Sequence, residues 1–427
     1  MNRRDEAMAL KAVARARAAA MFREPAGLLR HPYVDPGGPY GDNLWDWDSF
    51  WSLRAAAAMT GDPDFAGDAA AWRARVLRHG GGVLDNWIDH QGADGSVPIL
   101  ATPKDVDWFD SRCDPRRNMA KPVLGQLAAA LAALDPPAED LRRWCRGIDR
   151  YHRCFEQRYL DPSGLYVWAS DVAIGVDDDP TVWGRPPFSS ASIFLNALLH
   201  ADLRAVSAVA GRAGESALAE RAAGQAARLA EAVQRHLWDE RDGFFYTLDV
   251  QSRQRTEPHR YFGTLHANLT PTWPGLLLKV LTWSGFLALW AGLATPAQAE
   301  RMVREHLMNP VRFWSPHGPR TLSRDERMYD PATHRGNPSN WLGPVWIVSS
   351  YTIWEGLRRY GFHDEAGRVA ERTIALLARA EREHGAWHEN YNPETGEGIA
   401  APGFVSWNLL VHFMLDDALR GAGGGAT

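Results

Sequence analysis

A single closed toroid of α-helices is the fold this chain predicts, and three observations predict it. Ala-, Leu- and Arg-rich stretches with helical spacing of apolar residues recur about a dozen times along the 427 residues. No Pro/Ser-rich linker divides them, so residues 1–420 read as one domain and 421–427 as a disordered tail. The longest polar loops carry the Trp and acidic residues, as expected if inner helices present their loops to a central pocket.

The elements follow in order. Residues 2–22 form an amphipathic helix with charges throughout, without the unbroken apolar run of a signal peptide. Helices are predicted over 46–60, 64–79, 120–133, 138–157, 188–211 and 214–236. Residues 243–250 read as part of a short hairpin, in a chain otherwise sparse in strand signals. The next helix, 275–292, lies in a stretch (275–294) that is nearly all apolar and close to membrane-span length. It reads as a buried inner helix or helical hairpin, since no other segment looks membrane-bound. A helix over 296–307 opens on a capping Thr295, with Pro296 at the first helical position and Gln298 at the third. Helices over 341–360, 363–383 and 404–420 complete the set, and no fixed-period repeat suggests a solenoid.

Composition narrows the function. Hydrophobic residues make 45% and charged residues 23% of the chain, the balance of an ordinary globular protein. The net charge of −5 and scattered Arg give no basic face for nucleic acid. Cys113, Cys145 and Cys154 are too few and too irregular for a disulfide scaffold or a zinc site, and read as reduced thiols of a cytosolic protein. Trp is unusually common, 19 against 11 Tyr, and much of it sits beside Asp, Asn, Gly and Pro: Trp45, Trp47, Trp51, Trp168, Trp183, Trp314, Trp341 and Trp387. Trp in polar loops suits a carbohydrate site, where a pyranose buries its C–H face on a ring.

Two acidic loops stand out. Glu389 lies between Trp387 and Tyr391 in a turn-rich segment, and Asp177, Asp178 and Asp179 form a run between Trp168 and Trp183. Adjacent carboxylates repel, and a buried one among them has a raised pKa, which suits a general acid near neutral pH. Glycosidic cleavage needs two carboxylates on separate loops; in an inverting enzyme they stand roughly 6.5–9.5 Å apart. A third cluster, residues 42–51, combines Trp45, Trp47 and Trp51 with Asp46 and Asp48 at a helix start. Capping accounts for one Asp there; Asp48 is expected to hold sugar hydroxyls while Trp47 lines the pocket. His384 and His388 are four apart but run into a Gly/Pro loop, so no metal site is expected. No nucleophile elbow, phosphate loop, dinucleotide fingerprint or zinc-protease helix is present.

Five motifs then occur in one order. Trp47-Asp48-Ser49, Gly175-Val-Asp-Asp-Asp-Pro180, Gly318-Pro-Arg-Thr-Leu-Ser323, Asn340-Trp-Leu-Gly-Pro-Val-Trp346, and Trp387-His-Glu-Asn-Tyr391 with Gly396, Gly403 and Trp407 span residues 40–420. Together they resemble glycoside hydrolase family 63, the family of processing α-glucosidase I, and the related mannosylglycerate and glucosylglycerate hydrolases; the trehalases are more distantly similar. The resemblance implies an (α/α)6 toroid, hydrolysis with inversion, Asp177 as general acid and Glu389 as general base. It implies Trp47, Asp48, Arg320, Trp341, Trp387, Tyr391 and Trp407 as substrate binders, with Arg320 and Tyr329 as candidates for a glyceric acid aglycone. No cofactor is implied. Departures fall near the pocket: Ala173 and Ile174 replace polar residues, Leu342 replaces an Arg, and the stretch 276–290 looks longer. At this length no room is expected for the β-sandwich domain of the processing glucosidases. The expected activity is that of an exo-α-glycosidase acting on a small α-glucoside or α-mannoside, glycosylglycerate or short α-gluco-oligosaccharide. The competing readings are a sugar epimerase or lyase on a similar toroid, in which His384 and His388 would move protons, and a non-catalytic sugar-binding protein.

Overall fold

The computed structural model describes residues 3–62, 67–253, 258–261, 263–264, 273, 275–332 and 336–423. Among these the chain is predominantly helical, with a few strands of two or three residues. The helices are α1 (Arg3–Ala20), α2 (Asp46–Ala58), α3 (Ala69–Asp89), α4 (Leu124–Ala132), α5 (Ala138–Tyr159), α6 (Ile193–Arg212), α7 (Ser216–His236), α8 (Leu287–Trp290), α9 (Pro296–Arg301), α10 (Ile347–Arg359), α11 (His363–His384) and α12 (Val411–Gly423). Residues 424–427 of the expected tail lie outside the described residues, and Gly421–Gly423 continue α12.

Contacts between elements form a circuit. Helix α2 packs on α4, α4 on α6, α6 on α8, α8 on α10, and α10 on a short 3-10 segment, Ser406–Leu410, which packs back on α2. Two of these elements are buried almost all round: α2 buries residues of every face, including Phe50, Trp51 and Leu53, and α6 buries Ile193 through Leu199 without a break. Helices α5, α7 and α11 bury one stripe each; on α5 it is Leu141, Trp144, Cys145, Ile148, Tyr151 and Phe155, at the spacing of one helix face. Helix α6 is long and apolar enough to cross a membrane, but 72% of its apolar window is buried among its neighbours.

Local chemistry sets the ends. The Asp68 carboxylate accepts from the backbone N–H groups of Ala70 and Ala71 to open α3, and Ser192 accepts from Phe194 to open α6. The capping box expected at Thr295 and Gln298 is present. Gly385 closes α11 in the left-handed conformation, φ 59°.

Several boundaries differ from the sequence reading, for identifiable reasons. Helix α3 runs ten residues past the expected end, through Gly80, Gly81 and Gly82. A Cβ at Gly82 would stand 2.1 Å from the Pro32 carbonyl oxygen, so these glycines admit a neighbouring backbone rather than end the helix. The expected helix 275–292 is instead a strand, Leu276–Leu278, a 3-10 turn, Trp283–Phe286, and the short α8. The strand joins Ser190–Ala191 on Thr247–Asp249, antiparallel on both sides, so the 243–250 segment shares a three-stranded sheet. The stretch is apolar because it is buried on all sides, and burial alone does not distinguish helix from strand. Helix α10 starts six residues after its predicted start, because Gly343 (φ 130°) and Pro344 keep 340–346 a loop.

Buried charge ties the first and last helices to α2. The Lys11 ammonium lies 2.7 Å from carboxylates of both Asp62 and Asp416, with Arg15 also on Asp62. Asp62, His412 and Asp416 have ligand atoms within 4.8 Å of one another, but Lys11 supplies the positive charge there. The three cysteines are free, and burial pushes the Cys145 thiol up to about 11.

Candidate active site

Loops from distant parts of the sequence enclose a cavity of about 410 Å3, walled by residues between Pro36 and Trp407. Two carboxylate-bearing loops meet there through one backbone strut. The Trp341 N–H donates to the Asp177 carbonyl at 3.1 Å, and Val345 and Tyr391 exchange backbone hydrogen bonds at 2.8 and 2.9 Å. The segment 341–345 is thus hydrogen-bonded to the Asp177 loop at one end and the Glu389 loop at the other.

The three adjacent aspartates have three different settings. Asp179 is buried, and its Oδ1 accepts from both the backbone N–H and the hydroxyl of Thr181 at 2.8 Å, which folds the turn. Asp178, in the left-handed region (φ 60°), accepts from the Asn337 amide at 3.2 Å. Asp177 lines the cavity with its side chain open to the cavity space while protein surrounds it on the other sides. That surrounding raises its pKa, and Asp178's charge adds to the effect; Asn337 and Lys121 oppose it. Gly175 precedes them at φ 87°, and a Cβ there would sit 3.3 Å from Lys121 and 3.5 Å from Trp47.

Glu389 is 5% exposed. Its loop is clamped: its N–H donates to Ala400, and the Gly403 N–H donates to the Trp387 carbonyl. The Ser339 hydroxyl donates to Glu389 Oε2 at 2.6 Å and the Tyr40 hydroxyl donates to the same oxygen at 3.0 Å. Burial pushes Glu389 up to about 7, the two hydroxyls pull it down, and the Asp177 charge raises it again. Burial and the Glu389 charge also push the Tyr40 hydroxyl up, so it stays a protonated donor.

Asp48 lies in the cavity wall and accepts from the Ser406 hydroxyl at 2.9 Å. Burial pushes it up to about 8, with Asp46 and Glu389 adding repulsion. Neither Asp46 nor Asp48 caps α2, whose cap position is Trp45 with no side-chain bond. Asp46 instead holds Lys121, accepting from its backbone N–H at 2.7 Å and its ammonium at 2.9 Å.

Packed rings form the inner wall. Trp341 stacks on Trp346 with centroids 4.0 Å apart and on Trp283 at 5.3 Å, and Trp47 leans on Trp407 at 5.4 Å. Trp47, Trp341 and Trp407 are at most 4% exposed, so their faces are fixed by the core.

The structure thus brings Asp177, Glu389, Trp47, Asp48, Trp341 and Trp407 to one cavity. Three other residues expected at the site, and one companion, do not line it. Arg320 is 1% exposed and fully engaged: its guanidinium donates to Glu394 at 2.6 Å and to the carbonyls of Pro310, Arg312 and Trp314. Tyr329, its companion, bonds the same Arg320–Glu394 pair. Tyr391 is buried, its hydroxyl accepting from the His388 N–H at 2.9 Å, and Trp387 is buried beneath Arg17 at 5.0 Å. These residues shape the Glu389 loop from behind. His384 and His388 face each other edge to face at 5.8 Å, and neither lines the cavity.

Sequence reading missed Tyr40, Lys121, Asn337 and Ser339 as site residues. Tyr40 follows a Pro/Gly turn and Ser339 directly precedes the Asn340–Trp346 motif, but a lone Tyr or Ser carries no chemistry until the fold sets it against a carboxylate.

Comparison with known proteins bears on family and fold. The profile of a mannosylglycerate hydrolase MGH1-like glycoside hydrolase domain matches residues 42–407. A mannosylglycerate hydrolase of Rubrobacter radiotolerans is 28% identical over 235 residues, covering 55% of this chain and 45% of that protein. A cytosolic neutral trehalase of Kluyveromyces lactis is 29% identical over 151 residues, 35% of this chain and 16% of that protein. The matched stretches therefore span less than half of either relative. The GH63 mannosylglycerate hydrolase of Thermus thermophilus, solved with glucose, shares the fold: TM-score 0.68 and 20% identity, over 94% of this chain and 99% of that one.

Proposed function

This chain belongs to the mannosylglycerate hydrolase MGH1-like glycoside hydrolase family, and on that premise we propose that it is an inverting exo-α-glycosidase with a short pocket. The family does not favour the epimerase, lyase or purely sugar-binding readings. The observation that carries the mechanism is the pairing in one ring-lined cavity of an accessible carboxyl, Asp177, with a buried carboxylate, Glu389, whose two hydrogen bonds both fall on Oε2.

Asp177 protonates the leaving oxygen, and burial, by raising its pKa above the usual carboxylate value, favours the protonated form that this role needs. Glu389 takes a proton from the water that attacks the anomeric carbon from the opposite face, and the configuration inverts. Tyr40 and Ser339 fix one of its oxygens and hold its pKa within working range. Asp48, protonated below about 8, donates to and accepts from sugar hydroxyls. Trp47, Trp341 and Trp407 take the apolar face of the ring.

The circuit of α2, α4, α6, α8, α10 and the Ser406–Leu410 segment supports a single (α/α)6 toroid as the catalytic domain, with its loops gathered over the pocket. The substrate is a small α-glucoside or α-mannoside, and the reaction takes place in the cytoplasm.

Proton NMR on a panel of α-glucosides and α-mannosides tests this. The β-anomer appears first from the wild type, and Asp177→Asn and Glu389→Gln each lower turnover by about 10^3-fold or more while remaining folded. Retention of the α-configuration, or near wild-type rates in either variant, overturns the assignment.

A further inference from the structure

The inner and outer parts of the cavity are built differently. Trp47, Trp341 and Trp407 are nearly inaccessible, whereas Trp183, which lines the same cavity, is 57% exposed. Val172, also in the wall, is 50% exposed. Both belong to the loop that carries Asp177, so the accessible apolar surface lies on the acid's side of the cavity.

The Trp183 backbone is nevertheless fixed. Its N–H donates to the Asp179 carbonyl at 2.8 Å, and the next residue, Gly184, donates to Asp171 Oδ2 at 2.7 Å. No other ring contacts Trp183 among the described residues, and the side chain is more than half exposed, so a flat face is presented to the cavity on a hydrogen-bonded turn. An exposed aromatic face in the wall of a cavity is a surface on which a ligand ring can stack.

From this we infer that the outer cavity receives the leaving group as a neutral pyranose stacked on Trp183, so that the preferred substrate is an α-linked disaccharide or short oligosaccharide. The inference rests on the acid and base roles proposed above: the acid stands beside the leaving oxygen, so the loop beyond it faces the leaving group. Charge favours the same choice over a glyceric acid. Asp171 and Asp178 place carboxylates in this part of the wall, where they accept from sugar hydroxyls and repel an anion. The Lys121 ammonium, also in the wall, is held by Asp46 at 2.9 Å.

The test compares three probe classes, each as glucosyl and mannosyl forms: the α-glycosyl fluoride, whose leaving group has no ring; neutral α-linked disaccharides; and the α-glycosylglycerate. Wild type is expected to prefer a disaccharide over the glycerate by about tenfold or more in kcat/KM. Trp183→Ala is expected to lose about tenfold more on the disaccharide than on the fluoride, chiefly through KM, with Trp183→Phe regaining part of the loss. Equal losses on fluoride and disaccharide, an unchanged disaccharide rate, or a wild-type preference for the glycerate each overturn the inference while leaving the glycosidase reading intact. Hydrolysis of none of the three overturns the glycosidase reading, and this inference with it.

Discussion

At the scale of single residues, burial holds protons on carboxyl groups in the cavity wall. The Glu389 carboxyl at about 7 retains its proton in the folded chain over a range where an unfolded Glu has lost it. Stability from this group is therefore present at acid pH and falls as pH rises to about 7. Glu389→Gln should match the wild type in stability near pH 4 and exceed it at pH 8, by on the order of 1–3 kcal/mol; urea denaturation of both proteins at the two pH values checks this. The hydroxyls of Ser339 and Tyr40 act in the opposite direction, stabilising the ionised form. Ser339→Ala should move the acid limb of kcat/KM upward by about 0.5–1 pH unit, and Tyr40→Phe should do the same more weakly. A pH–rate profile that does not move would show that neither hydroxyl bears on the proposed base.

At the scale of elements, glycines decide what local propensity cannot. The loop from Gly175 to Trp183 delivers Asp177 only because Gly175 adopts φ 87° against Trp47 and Lys121. Gly175→Ala should cost roughly 1–3 kcal/mol of backbone strain and lower kcat more than it lowers the melting temperature; turnover and thermal unfolding measured together separate the two effects. Gly82→Ala should act on stability instead, since its Cβ would collide with the Pro32 backbone far from the cavity. These glycines also mark where the sequence misled. A Gly triplet reads as a helix end, yet α3 continues through it because another chain segment passes close by. The stretch 275–292 reads as a helix from its apolar run, but that run reflects burial within the fold, and the three-stranded sheet takes its first part. Amphipathic helices such as α5, α7 and α11 were legible because one face meets water and the period is visible.

For the whole molecule, what the sequence conveyed was the identity of the carboxylates and rings, because they sit in motifs: Asp177, Glu389, Asp48 and Trp341 all reach the cavity. It did not convey that Arg320, Trp387 and Tyr391 would serve as buttresses, since a motif records position along the chain and not the direction in which a side chain is turned. Nor could it pair Tyr40 with Glu389, 349 residues apart. Long-range closure also depends on Lys11, which joins α1 to carboxylates on both sides of the Ser406–Leu410 junction. Lys11→Met should destabilise the chain by about 1–3 kcal/mol, leaving the buried Asp62 and the partly exposed Asp416 without that ammonium, as read from the denaturation midpoint. The strut at 341–345 has a different kind of consequence. It spaces the Asp177 and Glu389 loops through main-chain hydrogen bonds of Trp341, Val345 and Tyr391, and a main chain is the same whatever side chains it bears. Substitutions along the cavity wall can therefore accumulate over evolutionary time and reshape what the cavity admits, while the main-chain link between the Asp177 and Glu389 loops is inherited unchanged.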